Sequence, residues 1–176
     1  RETLFALARD TLGWCVQREA GEFSFEQYCL TDKLRQPAAT FVTLKIDGEL
    51  RGCIGSLMPE DPLYLSVHRN AVNAARHDPR FSPVTEAELA SLTVDISILS
   101  PIEPLADPAD FKLGQQGIIL ERGRQRAVFL PEVALEQNWT REQTLSFLSR
   151  KAGLSPDAWR QGATFKVFES VVLSAD

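Results

Sequence analysis

The segment Arg51-Gly52-Cys53-Ile54-Gly55 puts a thiol two residues from a guanidinium and between two glycines. Glycine lets a second backbone or a ligand come close, and a nearby cation lowers a thiol's pKa and can hold an anion. A thiolate nucleophile also wants a base, and the chain has two histidines, His68 and His77. His77 stands next to Asp78, a base beside a carboxylate that can orient it, and Arg80 adds a second cation. The catalytic candidates are therefore Cys53, His77 and Asp78, and the ligand-binding candidates are Arg51, Gly52, Gly55 and Arg80. The same residues also fit a purely structural reading. Gly52 then clears an aromatic ring across a sheet, Cys53 is a small buried hydrophobe, and Arg51 pairs with Asp78 or Glu49. Asp78-Pro79-Arg80-Phe81 is in that case a rigid turn whose ion pair pins a hairpin to a helix. Cys15, Cys29 and Cys53 show neither CxxC nor HxxxH spacing, so neither a metal nor another cofactor is expected.

Those residues need elements to hold them. Leu4, Ala8, Leu12 with Thr11, and Cys15 recur at helical spacing and predict an amphipathic helix over residues 1–18 with Cys15 on its buried stripe. Phe41 to Ile46 and Glu49 to Ile54 flank the turn signal Asp47-Gly48 and predict a hairpin. A two-residue turn would pair Ile46 with Glu49 and Leu44 with Arg51, mixing apolar and charged groups on each face. A three-residue loop with Gly48 in a bulge separates the faces and is preferred; it sets Lys45 opposite Glu49, Thr43 opposite Arg51 and Leu44 opposite Leu50. Arg51 and Cys53 then share one side.

Asp61 as N-cap, with Pro62 at the first helical position, opens a second helix, continued by Leu63, Val67, Ala71 and Ala74 or Ala75 to His77, and Asp78-Pro79 must end it. Thr85 and Glu88 form a capping box for a short helix, and Leu92 to Leu99 alternates as a strand. Pro101, Pro104 and Pro108 mark a crossing between lobes near residues 100–110 of one domain. A second hairpin turns at Arg122-Gly123, a helix capped by Thr140 and Gln143 runs to Gly153, and a last strand spans Thr164 to Leu173. Strands mixed with capped helices predict an α+β fold with a largely antiparallel sheet flanked by helices.

A net charge of −5 lacks the cation excess that phosphate contacts demand, so nucleic acid is a poor partner. The cluster Arg122, Arg124 and Arg126 reads as a solvated hairpin tip. An odd cysteine count and the lack of any apolar run near ~20 residues lead us to expect a cytoplasmic protein without a membrane segment.

Several ordered blocks resemble one family, the AMMECR-type proteins, called AmmeMemoRadiSam system protein A in prokaryotes. They are Leu50-Arg51-Gly52-Cys53-Ile54-Gly55, Ala74-Ala75-Arg76-His77-Asp78-Pro79-Arg80-Phe81, Phe129-Leu130-Pro131, and Lys151-Ala152-Gly153-Leu154 with Trp159. At the position of His77 that family often carries another residue. The resemblance implies two unequal lobes with a cleft between them and an association with Memo-like and radical-SAM proteins, without an established activity. We carry forward a binding or adaptor role at Arg51–Gly55, for such a partner or a small anionic ligand, ahead of an enzyme using Cys53 as nucleophile or redox thiol.

Overall fold

A computed structural model describes residues 1–17 and 21–174, so the expected helix end at residue 18 lies outside the described residues. The chain divides into two units, one of Arg1–Leu99 with the chain from Val171 onward, the other of Ser100–Ser170.

In the first unit, helix α1 (Glu2–Gln17) buries Leu4, Ala8, Thr11 and Leu12 as expected, together with Leu7 and Val16, while Cys15 is only half-buried at the margin of the stripe. A single helical turn, α2 (Asp32–Arg35), precedes strands β1 (Thr40–Ile46) and β2 (Glu49–Gly55). Helix α3 (Leu63–Arg76) buries Leu63, Val67, Ala71, Ala74 and Ala75 together with the polar Ser66 and Asn70. Those two are satisfied by Thr40, whose hydroxyl meets Ser66 Oγ at 2.7 Å and whose carbonyl accepts from Asn70 Nδ2 at 3.0 Å. Asp61 does not cap α3: Pro62 holds the N-cap position, and the Asp61 carboxylate instead accepts from Arg69 Nη1 at 2.8 and 2.7 Å. The helix stops as expected, with His77 N–H bonded to the Asn73 carbonyl before Asp78-Pro79. Strand β3 (Leu92–Leu99) completes the antiparallel order β2-β1-β3. Val42, Leu44, Val94 and Ile96 face α1 and α3 in one apolar core.

The β1–β2 register departs from both expected forms. Asp47 and Gly48 both have positive φ, 51° and 82°, so the turn has two residues and Ile46 faces Glu49, with Lys45 opposite Leu50. The register then shifts, and Leu44 faces Gly52 while Thr43 faces Cys53. Two left-handed residues make a turn whose twist matches the strands, and the shift at Arg51 takes its charge away from Leu44, while Ile46 still faces Glu49 and Lys45 faces Leu50.

The second unit is built on β4 (Glu103–Leu105), β5 (Gln116–Arg122), β6 (Gln125–Phe129) and β7 (Thr164–Ser174), in the antiparallel order β7-β5-β6 with β4 on β7's other edge. Helices α4 (Pro131–Glu136) and α5 (Arg141–Lys151) complete it, α5 opening with the expected Thr140–Gln143 capping box. Its own core gathers Phe111, Ile118, Leu120, Leu145, Leu148 and Phe165. The architecture is α+β with an antiparallel sheet and flanking helices.

Candidate functional site

Strand β2 lies at a sheet edge, and an edge strand leaves alternate backbone groups without a ladder partner. At Cys53 two side chains supply one. The Cys53 N–H donates to Asp78 Oδ2 at 2.8 Å, and Arg80 Nη2 donates to the Cys53 carbonyl at 3.1 Å. Carboxylate and guanidinium thus stand where a neighbouring strand's C=O and N–H would. They also hold each other, Arg80 Nε and Nη2 donating to the two Asp78 oxygens at 3.0 and 2.7 Å. Pro79 between them fixes the turn, and Arg80 N–H adds a bond of 3.0 Å to Asp78 Oδ1. The Asp78 side chain is 2% exposed, so its charge is tolerable only because it is so bonded. Hydrogen bonds from Arg80, joined by those from the Cys53 and Arg80 amides, hold its carboxyl far below the usual carboxylate range against the opposing effect of burial.

Arg51 is committed in a similar way. Its Nε and Nη2 donate to the Glu88 carboxylate at 2.7 and 3.2 Å, Nη1 to the Ser82 carbonyl at 2.9 Å and Nη2 to the Pro83 carbonyl at 3.4 Å. Its partner is therefore Glu88, not Asp78 or Glu49. Glu88 also accepts from the Thr85 N–H and hydroxyl, both at 2.8 Å, so one carboxylate caps the 3-10 turn Glu86–Ser91 and anchors the strand. The bond from Arg51, then those from Thr85, pull its pKa from 4.5 down to about 2.

Both glycines of the motif clear space. A Cβ on Gly52 would overlap the Ala74 carbonyl oxygen, so α3 lies against bare backbone there. A Cβ on Gly55 would overlap the ring of its cross-strand neighbour Phe41 and the Thr40 carbonyl. The aromatic ring expected opposite Gly52 thus lies opposite Gly55 instead.

With Gly52 against α3, strand alternation turns the Cys53 side chain to the sheet's other face. There Thr43, its cross-strand neighbour, donates its hydroxyl to Cys53 Sγ at 3.3 Å. Thr43 is in turn opposite Asp95, whose carboxylate pairs with Lys45 Nζ at 2.9 Å. The row Cys53–Thr43–Asp95 crosses three strands, with a half-exposed cation beside it. Sequence reasoning missed Thr43, Asp95 and Lys45; the alternation of β1 and β3 carries the signal, once their register is known. His77 is exposed at the end of α3, its Nδ1 3.2 Å from Asn73 Oδ1, and His68 Nδ1 meets Thr11 Oγ1 at 2.9 Å. The structure brings together Cys53, Asp78 and Arg80 at the strand edge, and directs Arg51 toward Glu88. No disulfide joins Cys15, Cys29 and Cys53. Among the described residues no three or more His, Cys, Asp or Glu side chains gather as metal ligands, and no helix is long and apolar enough to cross a membrane.

This geometry occurs in a chain that matches the AMMECR1 family model over residues 5–173. It is similar to a protein of Methanothermobacter thermautotrophicus, 44% identical over 74% of this chain and 71% of that one. It is also similar to the protein NEQ441 of Nanoarchaeum equitans, 36% identical over 98% of this chain and 99% of that one. The crystal structure of the uncharacterized protein PH0010 from Pyrococcus horikoshii superposes with a TM-score of 0.86 at 31% identity, covering 96% of this chain and 88% of that one.

Proposed function

The chain belongs to the AMMECR1 family, and from that premise we propose that it is a binding or adaptor protein whose recognition surface is the sheet face around Cys53, Thr43 and Asp95. The observation that carries this reading is how the charged groups of the motif are used. Arg51 and Asp78 spend their hydrogen bonds inside the chain, on Glu88 and the loop carbonyls in one case and on Cys53 and Arg80 in the other. Groups so engaged are poor proton carriers, because Asp78 stays ionised throughout the neutral range. They are good scaffolding, since a surface fixed by partly buried ion pairs loses little freedom on binding. What they hold in place is a polar row of fixed spacing, bordered by the Lys45–Asp95 and Arg80–Asp78 ion pairs, in each of which the cation is the more exposed partner. Such a surface suits an anionic group on a small ligand or on a partner protein. The family resemblance makes a Memo-like or radical-SAM protein the first partner to try.

The other reading, thiol chemistry at Cys53, is favoured by one contact: the Thr43 hydroxyl donates to the sulfur, which supports a thiolate. One experiment separates the two. Purified protein labelled with 15N is titrated with a recombinant Memo-like protein and, separately, with inorganic phosphate, while iodoacetamide labelling of Cys53 is followed against pH. The binding reading expects saturable shifts at Thr43, Cys53 and Asp95, retained in Cys53→Ser and weakened in Thr43→Val, with slow labelling at neutral pH. Rapid labelling well below the ordinary thiol range, with no shift from either titrant, replaces it with the thiol reading.

A further inference from the structure

We propose that the cavity between α1 and the segment 21–28 binds a small organic cation of the alkylammonium class, at a site separate from the Cys53 face. The argument begins with Gly13. Of the ten glycines, six have positive φ, and Gly52, Gly55 and Gly117 each clear atoms that an added Cβ would overlap. Gly13 has neither reason. It lies inside α1, and a Cβ built on it would meet nothing within 4 Å. Glycine in a helix interior weakens the helix relative to alanine, and among the described residues nothing fills the space a Cβ would take. A bare stretch of helix is useful when something from outside the chain lies against it.

What surrounds Gly13 indicates the class of that ligand. It lines a cavity of about 470 Å³ together with Asp10, Trp14, Glu22, Phe23 and Arg9. The rings of Trp14 and Phe23 stand edge to face, with centroids 5.8 Å apart and planes at 71°, the arrangement of adjoining walls in an aromatic cage for a cation. Both walls are braced. Trp14 Nε1 donates to the Gly21 carbonyl at 3.3 Å, and Phe23 packs on Phe25, Tyr28 and His68 at centroid distances of 5.1, 6.2 and 4.7 Å. Asp10 is oriented by the Tyr28 hydroxyl, which donates to Oδ2 at 2.6 Å. Among the described residues neither Asp10 nor Glu22 is neutralised by an ion pair. Among the described residues of the lining, two carboxylates stand against one guanidinium, that of Arg9. Aromatic walls, negative charge and a floor without a Cβ suit a compact alkylated ammonium, which prefers ring faces and carboxylates to bulk water more than a neutral group of its shape does.

The test uses choline chloride as probe and its neutral isostere, 3,3-dimethylbutan-1-ol, as control. Both are titrated into the 15N-labelled chain while the Trp14 indole N–H and the Gly13 amide are followed. Choline is expected to give saturable shifts at both signals and to bind at least about tenfold more tightly than the alcohol. Gly13→Ala is expected to raise the melting temperature by about 2 °C, as alanine restores helix propensity, while weakening choline binding about tenfold. Absence of saturable shifts, equal affinity for the alcohol, undiminished choline binding by Gly13→Ala, or a lowered melting temperature in that variant each overturns the proposal.

Discussion

Glu88 shows how one side chain can be mistaken for a local feature. Its spacing from Thr85 announces a capping box, and the box is there. The same carboxylate also receives the guanidinium of Arg51, thirty-seven positions away, and no local pattern announces that. Glycines pose the same difficulty: Gly52 and Gly55 are visible in the sequence as positions of close approach, but whether a helix carbonyl or an aromatic ring comes close is decided by packing. The double role of Glu88 has a measurable pH signature. Its folded-state pKa is depressed from 4.5 to about 2, so its ionisation contributes stability that is fully present above 4.5 and disappears as pH falls toward 2. In Glu88→Gln that contribution is missing throughout. Thermal melts of the two proteins are therefore expected to differ most above pH 4.5 and to converge near pH 2. A constant gap across that range would mean that the side chain acts through shape alone.

At the scale of the element, the hairpin β1–β2 illustrates what alternation can and cannot fix. The stripes of α1 and α3, the stop at Asp78-Pro79, the two capping boxes and the alternation of β3 are all local, and the sequence shows them. The hairpin's register is not, because the residue pushed out of the ladder, Arg51, is stabilised there by Glu88 and the carbonyls of Ser82 and Pro83. Face-separating logic applied to the hairpin alone therefore selected the wrong turn. The same dependence on a distant loop governs the strand's open edge. The Asp78–Arg80 pair substitutes for a missing strand at Cys53, which makes Asp78 an element-level support rather than a surface charge. Asp78→Ala removes the acceptor of the half-buried Cys53 amide and the carboxylate partner of Arg80, and should cost about 2–3 kcal/mol of stability in urea denaturation with an unchanged slope. Amide exchange at Cys53 and at Arg80 should accelerate by more than the global loss explains, because these two N–H groups lose their acceptor. If exchange at Cys53 rises only in step with that at Leu44, the carboxylate is not supporting the edge.

For the molecule as a whole, the informative element is the last one. Strand β7 begins in the second unit, pairing with β5 and β4, yet the chain from Val171 onward belongs to the first unit, where β7 neighbours β3. Ser174 ends that stretch with its carbonyl accepting from Arg1 Nη2 at 2.6 Å, so the two ends of the described chain meet on the first unit. Each unit has its own apolar core, and the first therefore depends on a strand that arrives only after the second has been traversed. Contacts of such long sequence separation close late and at high entropic cost, so their loss should fall unevenly. Truncation after Ser170 leaves every β5–β7 pair intact, since these end at Glu169, but removes the neighbour of β3 and the partner of Arg1. Hydrogen exchange on the truncated chain is expected to show reduced protection at Val94 and Ile96, while Ile119 and Leu120 keep most of theirs. Equal loss in both groups would show that the two cores unfold as one cooperative unit, with the shared strand coupling them more strongly than their separate packing suggests.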